Sequence, residues 1–520
     1  MPRPARRPLS RCPQPFTGLV VVIPVLLAVS ANTLPGQNAS QAAPYKPNIP
    51  RTWSDGAVEQ LELPLAHAEY SPQHVSEEYY YQLPVRRVWK SYPVYHPDRE
   101  PDGYRERLAT LDPEQVFDAS KLATERDWID AGAEVFRAPV SFNGPTVRPA
   151  DVLDPEWYER TGVGLTAEGA LPYLRWVIRE KGKVELGNQG CAMCHTRLMP
   201  DGSVIEGAQG NFPLEKIIAD AILNRGVPRP VILRLFRQIA TAPWHPPDSF
   251  ASMPPEQLAA IREASPPGVM PRQGTSFRSP SRIPDLIGIQ DRKYLDASGL
   301  VIHREIGDLM RYAALNQGLD LLARYGDFVP DTLGSKQPPP GSGTFEGSRA
   351  RYSDEQLFAL AKFLYALEPP ANPNSVDELA RRGEEVFEKQ ACGTCHTPPL
   401  YTNNQLIPAP GFEPPEDHYE KYDVFKGEVG TDPELTMNTR RGTGYYKVPS
   451  LKGLWYRGPL GHSGRVATLE DWFDPARLSS DYVPTGFAGT DGPRAVPGHP
   501  FGLGLPEGDK RALIAFLRTL

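Results

Sequence analysis

The sequence predicts a mainly α-helical chain in which two related domains carry long irregular loop insertions. Three observations predict it. The 520 residues include 58 prolines and 45 glycines, a proline share roughly twice the usual ~5%, which favours short helices and irregular connections over an extended sheet. A set of short motifs recurs at fixed offsets in the two halves, and each half closes on an amphipathic helix. With 40% hydrophobic and 23% charged residues and a net charge of −7, the composition excludes collagen-like, mainly disordered and multi-span membrane chains. An acidic chain lacks the cationic surface that a phosphate backbone requires, so no nucleic-acid partner is expected.

The first segment, residues 1–31, carries Arg3, Arg6, Arg7 and Arg11 without an acid, then an apolar run over 19–29 that ends Ala28-Val29-Ser30-Ala31. That is the layout of a signal peptide cleaved after Ala31. Pro24 interrupts the run, which falls short of the ~20 residues a span needs, so no stable membrane span is expected and the mature chain is expected in the periplasm or secreted. Residues 32–110 form a Pro- and Tyr-rich extension without clear periodicity, expected to pack against the two domains.

The first domain is placed at 111–368, the linker at 369–375 and the second domain at 376–520. Ser375 and Glu378 predict a capping box for a helix running through Arg382-Gly383-Glu384-Glu385-Val386-Phe387. Ala131-Gly132-Ala133-Glu134-Val135-Phe136 matches it in the first half. Phe387 is five residues before Cys392 whereas Phe136 is 55 before Cys191, so about fifty residues are inserted there. Ile283-Pro284-Asp285-Leu286-Ile287-Gly288 matches Val448-Pro449-Ser450-Leu451-Lys452-Gly453 at an offset of 165, which Ser298-Gly299 and Ser463-Gly464 keep. Ala359, Leu360, Phe363, Leu364 and Leu367 match Ala512, Leu513, Phe516, Leu517 and Leu520 at helical spacing, with Ser353 and Gln356 capping the first copy. The Pro/Gly-rich stretch 337–348 reads as a surface loop.

Of five cysteines, Cys12 leaves with the signal peptide. The other four form Cys191-Ala-Met-Cys194-His195 and Cys392-Gly-Thr-Cys395-His396. Exported chains normally spend cysteines on disulfides, yet every mature cysteine here sits in C-x-x-C-H, the spacing that attaches c-type haem. The two thiols add across the porphyrin vinyl groups and the adjacent histidine meets the iron, so two covalently bound haem c groups are expected. A zinc site built from both pairs is the rival reading, but the pairs lie 201 residues apart and each carries its own histidine. A thioredoxin-type pair wants a βαβ pattern that is not evident.

The duplication also asks which iron is open. His499, in Gly498-His499-Pro500-Phe501-Gly502, lies shortly before the closing helix, where a sixth ligand is expected. Aligning the closing helices puts Glu346 at that place in the first half, and glutamate is a poor ligand for low-spin haem iron. The second iron is therefore expected between His396 and His499, the first on His195 with an open position. His462, opposite Ala297, and Met437 remain alternatives for the second iron. His303 is either a distal acid–base, a closing sixth ligand, or an ordinary paired or exposed histidine, with Arg304, Glu305 and Arg311 nearby as charges. His67, His74, His96, His245 and His418 read as surface loop residues.

On its two C-x-x-C-H motifs, and on Tyr446 to Gly453 leading to Gly461-His462-Ser463-Gly464-Arg465-Val466-Ala467-Thr468-Leu469-Glu470, the chain resembles the bacterial di-haem cytochrome c peroxidase superfamily. Ile283-Pro284-Asp285-Leu286, Gly307-Asp308-Leu309-Met310-Arg311-Tyr312 and Gly498-His499-Pro500-Phe501-Gly502 resemble its rubber-oxygenase-like branch. His462-Ser463-Gly464 stands where the superfamily usually carries His-Asp-Gly. The resemblance implies two cytochrome c-like haem domains, a reactive N-terminal haem and an electron-relaying C-terminal one. The expected function is electron transfer coupled to redox catalysis on peroxide or dioxygen. Expected partners are a small redox protein such as a mono-haem cytochrome, and peroxide, dioxygen or an oxidisable organic substrate. The competing expectation is a pure electron carrier with both haems six-coordinate.

Overall fold

A computed structural model describes residues 45–144, 146–245, 249–271, 274–317, 322–330 and 350–520. The segment expected to be a signal peptide, Cys12, Glu346 and the stretch 337–348 lie outside the described residues. The longer helices are α1 (Glu125–Arg137), α2 (Leu214–Asn224), α3 (Arg229–Ala240), α4 (Pro255–Glu263), α5 (Ile306–Gln317), α6 (Asp354–Tyr365), α7 (Glu378–Lys389) and α8 (Glu507–Thr519). The chain is helix-rich with small antiparallel sheets. Among the described residues no helix is long and apolar enough to cross a membrane.

The repeated motifs fold into repeated packing. In α1 the side-chain amphipathicity buries Trp128, Val135 and Phe136 against α6; in α7 it buries Val386 and Phe387 against α8. A Cβ on Gly132 would stand 1.9 Å from the Ala359 carbonyl oxygen, and one on Gly383 would stand 1.9 Å from that of Ala512. Only glycine lets either helix pair close to this distance. Beside each contact an aromatic pair recurs: Phe136 with Phe363 at 5.2 Å and Phe387 with Phe516 at 5.4 Å between centroids.

Helix starts follow side-chain chemistry, with one correction. Thr124 and Asp127 make a reciprocal capping box on α1, and Ser353 and Gln356 make the expected one on α6. The predicted Ser375–Glu378 box does not form. Asp377 is the N-cap of α7, its carboxylate accepting from Ala380 N at 2.8 Å. Aspartate at this position both caps and faces the positive end of the helix, and it displaces the serine two residues earlier.

The expectation of no extended sheet is also corrected. The segment inserted before Cys191 holds most of a four-stranded antiparallel sheet of β1 (Ser91–Tyr95), β2 (Ser141–Phe142), β3 (Ala170–Glu180) and β4 (Lys183–Asn188), in the order β1-β3-β4-β2. Leu171, Tyr173, Leu174, Trp176, Val177 and Ile178 are buried along β3, a run rich in the aromatic and β-branched residues that strands favour. Composition averaged over the chain hid it. Pro93 lies on the edge strand at a register shift, where a missing amide costs no ladder bond.

Residues 45–110 are more than a covering extension. Trp53 and Tyr80 are fully buried and stacked at 4.5 Å, and they share a core with Phe136, Leu357 and Leu360. The sheet and residues around Trp157 form a second core that includes Met193 and Cys194, while α7 and α8 organise a third. Helices α2, α3 and α4 enclose a fourth, with no counterpart in the second half.

Candidate functional site

Each cysteine motif is a single tight turn. Cys191–Cys194 is one α-turn and Cys392–Thr394 one 3-10 turn, and in both the histidine amide donates to the first cysteine carbonyl at 2.9 Å. The four thiols form no disulfide. The first motif is wedged between two cores, Cys191 against that of α1 and α6, Cys194 against the sheet; Cys392 packs against the third. Among the described residues no three His, Cys, Asp or Glu side chains converge as a metal cluster. The two pairs therefore do not meet in the four-thiolate arrangement that the zinc alternative requires.

The repeat explains how the histidine rings are held. His195 Nδ1 faces the Pro284 carbonyl at 3.0 Å. His396 Nδ1 faces the Tyr401 carbonyl at 3.2 Å, and the Pro449 carbonyl also reaches this ring. Pro284 and Pro449 are the same position of the duplicated motif. A carbonyl acceptor makes Nδ1 the protonated nitrogen, leaving Nε2 with its lone pair, the state in which imidazole binds a metal. Burial pushes His396 below its ordinary value and so keeps it neutral.

The structure brings His499 to His396. Their ring centroids are 6.3 Å apart, with planes inclined by 54°. Two imidazoles on opposite sides of one metal, each bonded at about 2 Å, have centroids about 6 Å apart. The buried Nδ1 of His499 has no hydrogen-bond partner among the described residues. Burial, with His396 and Arg477 adding to it, pushes His499 down to about 4, so the ring is neutral. The donor set fits a haem iron between these rings, with Cys392 and Cys395 as the tether.

The His499 loop is held from several directions. His499 has φ +47° and Gly498 φ +81°, and a Cβ on Gly498 would fall 2.5 Å from Thr431 Cα. A left-handed histidine is strained and persists only when its surroundings over-determine it. Arg477, 1% exposed, supplies that: its guanidinium donates to the carbonyls of Val496, Gly498 and His499 at 2.6, 3.0 and 2.8 Å. The His499 amide donates to Val429 O at 2.7 Å. Sequence reading missed Arg477, since nothing in the local pattern of 475–478 links it to a loop twenty residues on.

The other candidates have different surroundings. His462 stacks on Tyr446 at 4.2 Å, and burial pushes it down to about 4. Met437 ends a single helical turn, Glu434–Met437. His303 is buried with both ring nitrogens engaged: Nδ1 with the Arg292 carbonyl and Nε2 with the Tyr365 hydroxyl, each at 2.7 Å. As placed, it has no nitrogen free for iron or for an iron-bound oxygen, and Tyr365 is a partner the sequence did not disclose. Arg304 and Arg311 both pair with the buried Asp308, at 2.9 and 3.0 Å. Two histidines read as surface residues are paired instead, the half-buried His74 with Glu62 at 2.9 Å and the buried His418 with the Tyr445 hydroxyl at 2.9 Å.

No family model and no curated protein matches the chain. Among solved structures, it is similar to hydrazine synthase of Kuenenia stuttgartiensis, at 16% identity and a TM-score of 0.28, over 56% of this chain and 87% of that one. It is also similar to a MauG-like protein associated with microbial copper homeostasis, at 20% identity and a TM-score of 0.21, over 32% of this chain and 56% of that one. Both similarities are distant, and the chemistry of the site rests on its own residues.

Proposed function

We propose that the protein is an exported di-haem c-type cytochrome that couples electron transfer to redox catalysis on peroxide or dioxygen at its N-terminal haem site. The observation that carries this is the pairing of His396 with His499 at 6.3 Å beside a C-x-x-C-H motif that recurs, with its supporting proline carbonyl, in the first half. Haem tethered at both motifs would supply one-electron chemistry at each and, at an open iron, reactivity toward peroxide or dioxygen.

The residues divide the work. Cys191 and Cys194, and Cys392 and Cys395, form the tethers. The Pro284 and Tyr401 carbonyls hold the tautomers of His195 and His396 so that Nε2 is the ligating nitrogen. Arg477 holds His499 in reach of the second site, which closes that side to exogenous ligands. In the sequence of the first half, Glu346 stands where the second half has His499, and a glutamate is a poor ligand for low-spin haem iron; this inequality is what the redox-enzyme reading needs.

Absorption and electron paramagnetic resonance spectra of the purified ferric protein test it. One high-spin and one low-spin haem are expected. Two low-spin haems would instead favour the pure electron carrier, and colourless protein would end the haem reading. Turnover of peroxide with a reduced small cytochrome, compared with oxygen uptake on an unsaturated polymer, then separates peroxidase from oxygenase.

A further inference from the structure

A bonded chain runs from the first C-x-x-C-H motif to a half-buried phenol. His195 Nδ1 donates to the Pro284 carbonyl at 3.0 Å. The next carbonyl, that of Asp285, accepts from Arg292, whose guanidinium also donates to the Ile287 carbonyl at 2.6 Å. The Arg292 carbonyl in turn accepts from His303 Nδ1 at 2.7 Å, which leaves the lone pair of His303 on Nε2 to accept from the Tyr365 hydroxyl, also at 2.7 Å. Covalent and hydrogen bonds thus join His195 to Tyr365 without a gap. Tyr365 ends α6 beside the exposed Ala366, and it packs against the same core as Cys191. Two residues on, Leu367 lies over Gly207, whose amide donates to the His195 carbonyl at 2.7 Å.

The duplication separates the shared part of this chain from the special part. Arg457 stands at the place of Arg292 and donates to the Ser450 carbonyl at 2.8 Å, as Arg292 does to that of Asp285. Beyond the arginine the halves part. The repeat offsets of 165 and 153 put Thr468 and Arg518 where the first half has His303 and Tyr365, and these two bond to the carboxylates of Asp471 and Glu470 instead. The imidazole–phenol pair therefore belongs to the half whose iron is read as open. Burial pushes the Tyr365 phenol up to about 12 and His303 below its ordinary value, so near neutral pH the phenol holds its proton and the imidazole is a free acceptor. A phenol that loses an electron becomes strongly acidic, and a base already in hydrogen-bond contact takes the proton in the same step. The imidazolium so formed is attracted by Asp308 and repelled by Arg292 and Lys447.

We propose that Tyr365 is a one-electron oxidation site for phenols too bulky to enter the first haem site, with His303 as its proton acceptor. The inference rests on the di-haem reading, with hydrogen peroxide as the oxidant and the haem at His195 supplying the oxidising equivalent. Tyr365 gives one electron along the bonded chain to that site and its proton to His303 Nε2, leaving a neutral tyrosyl radical beside an imidazolium. A phenol donor at the surface then returns one electron to the Tyr365 oxygen, and His303 returns the proton. The donor releases its own proton to water and leaves as a phenoxyl radical. Two such cycles supply the two electrons, and two donors the two protons, that convert one hydrogen peroxide into two waters.

The test mixes the ferric holoprotein with hydrogen peroxide, freezes it, and reads electron paramagnetic resonance. Wild type is expected to give a tyrosyl radical, identified by its narrowing in protein grown on ring-deuterated tyrosine. Tyr365→Phe, which removes one oxygen, is expected to lose the signal. His303→Gln keeps an acceptor but no base, and its radical yield is expected to fall at least about tenfold. His303→Asn repeats the measurement if the glutamine variant does not accumulate. Phenol groups fixed to dextran cannot enter the protein, and their peroxide-driven coupling, read as fluorescence, is expected with wild type and not with Tyr365→Phe. A first haem that responds to peroxide in its absorption spectrum without a radical overturns the relay and leaves the di-haem reading intact. A signal unchanged in Tyr365→Phe gives the radical to another tyrosine, and one unchanged in His303→Gln removes His303 as the base; either overturns the proposal. Dextran coupling that survives in Tyr365→Phe overturns the surface site. Protein without haem, or with haems inert to peroxide, overturns both readings at once.

Discussion

His499 shows how much a single residue is made to endure. Its left-handed backbone and the orphaned Nδ1 are costly, the hydrogen bonds from Arg477 to three carbonyls offset that cost, and together they hold one ring opposite His396. On the proposed di-haem reading, His499→Ala is expected to convert only the C-terminal haem from low to high spin, and an unchanged spectrum would remove the ligand assignment. Asp308 offers a pH test. Burial pushes its carboxyl up, but bonds from Arg304 and attraction to Arg304 and Arg311 outweigh this and leave it below the ordinary value. A depressed carboxylate contributes stability that is fully present above the unfolded value near ~4 and is lost as pH falls through the folded one. Thermal melts from pH 6 to pH 3 are therefore expected to fall more steeply for wild type than for Asp308→Asn.

Among the elements, the two helix pairs carry the duplication from motif into shape. Gly383→Ala forces a methyl into the Ala512 carbonyl, and separation of α7 from α8 is expected to cost about 1–3 kcal/mol. Calorimetry should show a lower Tm, with Gly132→Ala repeating the effect through α1 and α6. The α2–α4 insertion is held differently, by Arg262 and Glu215 at 2.8 Å, 1% and 3% exposed, with the guanidinium over Phe236 and Phe277. Burial pushes Glu215 up despite its partner. Arg262→Met strands that carboxylate and is expected to destabilise by about 3–5 kcal/mol, whereas the double change to apolar residues is expected to recover most of the loss. Chemical denaturation of the single and double variants checks both.

At the scale of the molecule the halves are tied together. Leu63 and Tyr294 share a core with Leu406, Val424 and Tyr445, and Ile205 and Ile287 share one with Tyr456. Calorimetry is accordingly expected to show one coupled unfolding transition, and two well-separated ones would contradict it. The sequence by itself determined the C-x-x-C-H motifs, the fixed offsets, the closing helices and the choice of His499 as a candidate, because spacing along a chain is preserved on folding. It could not disclose the β3–β4 hairpin, hidden beneath a Pro-rich average, or that Trp53 and Tyr80 belong to the main core. Nor could it show that Arg477 clamps a distant loop or that Tyr365 occupies His303. Those depend on which residues remote in sequence come within a few ångströms, and only the packed chain decides that.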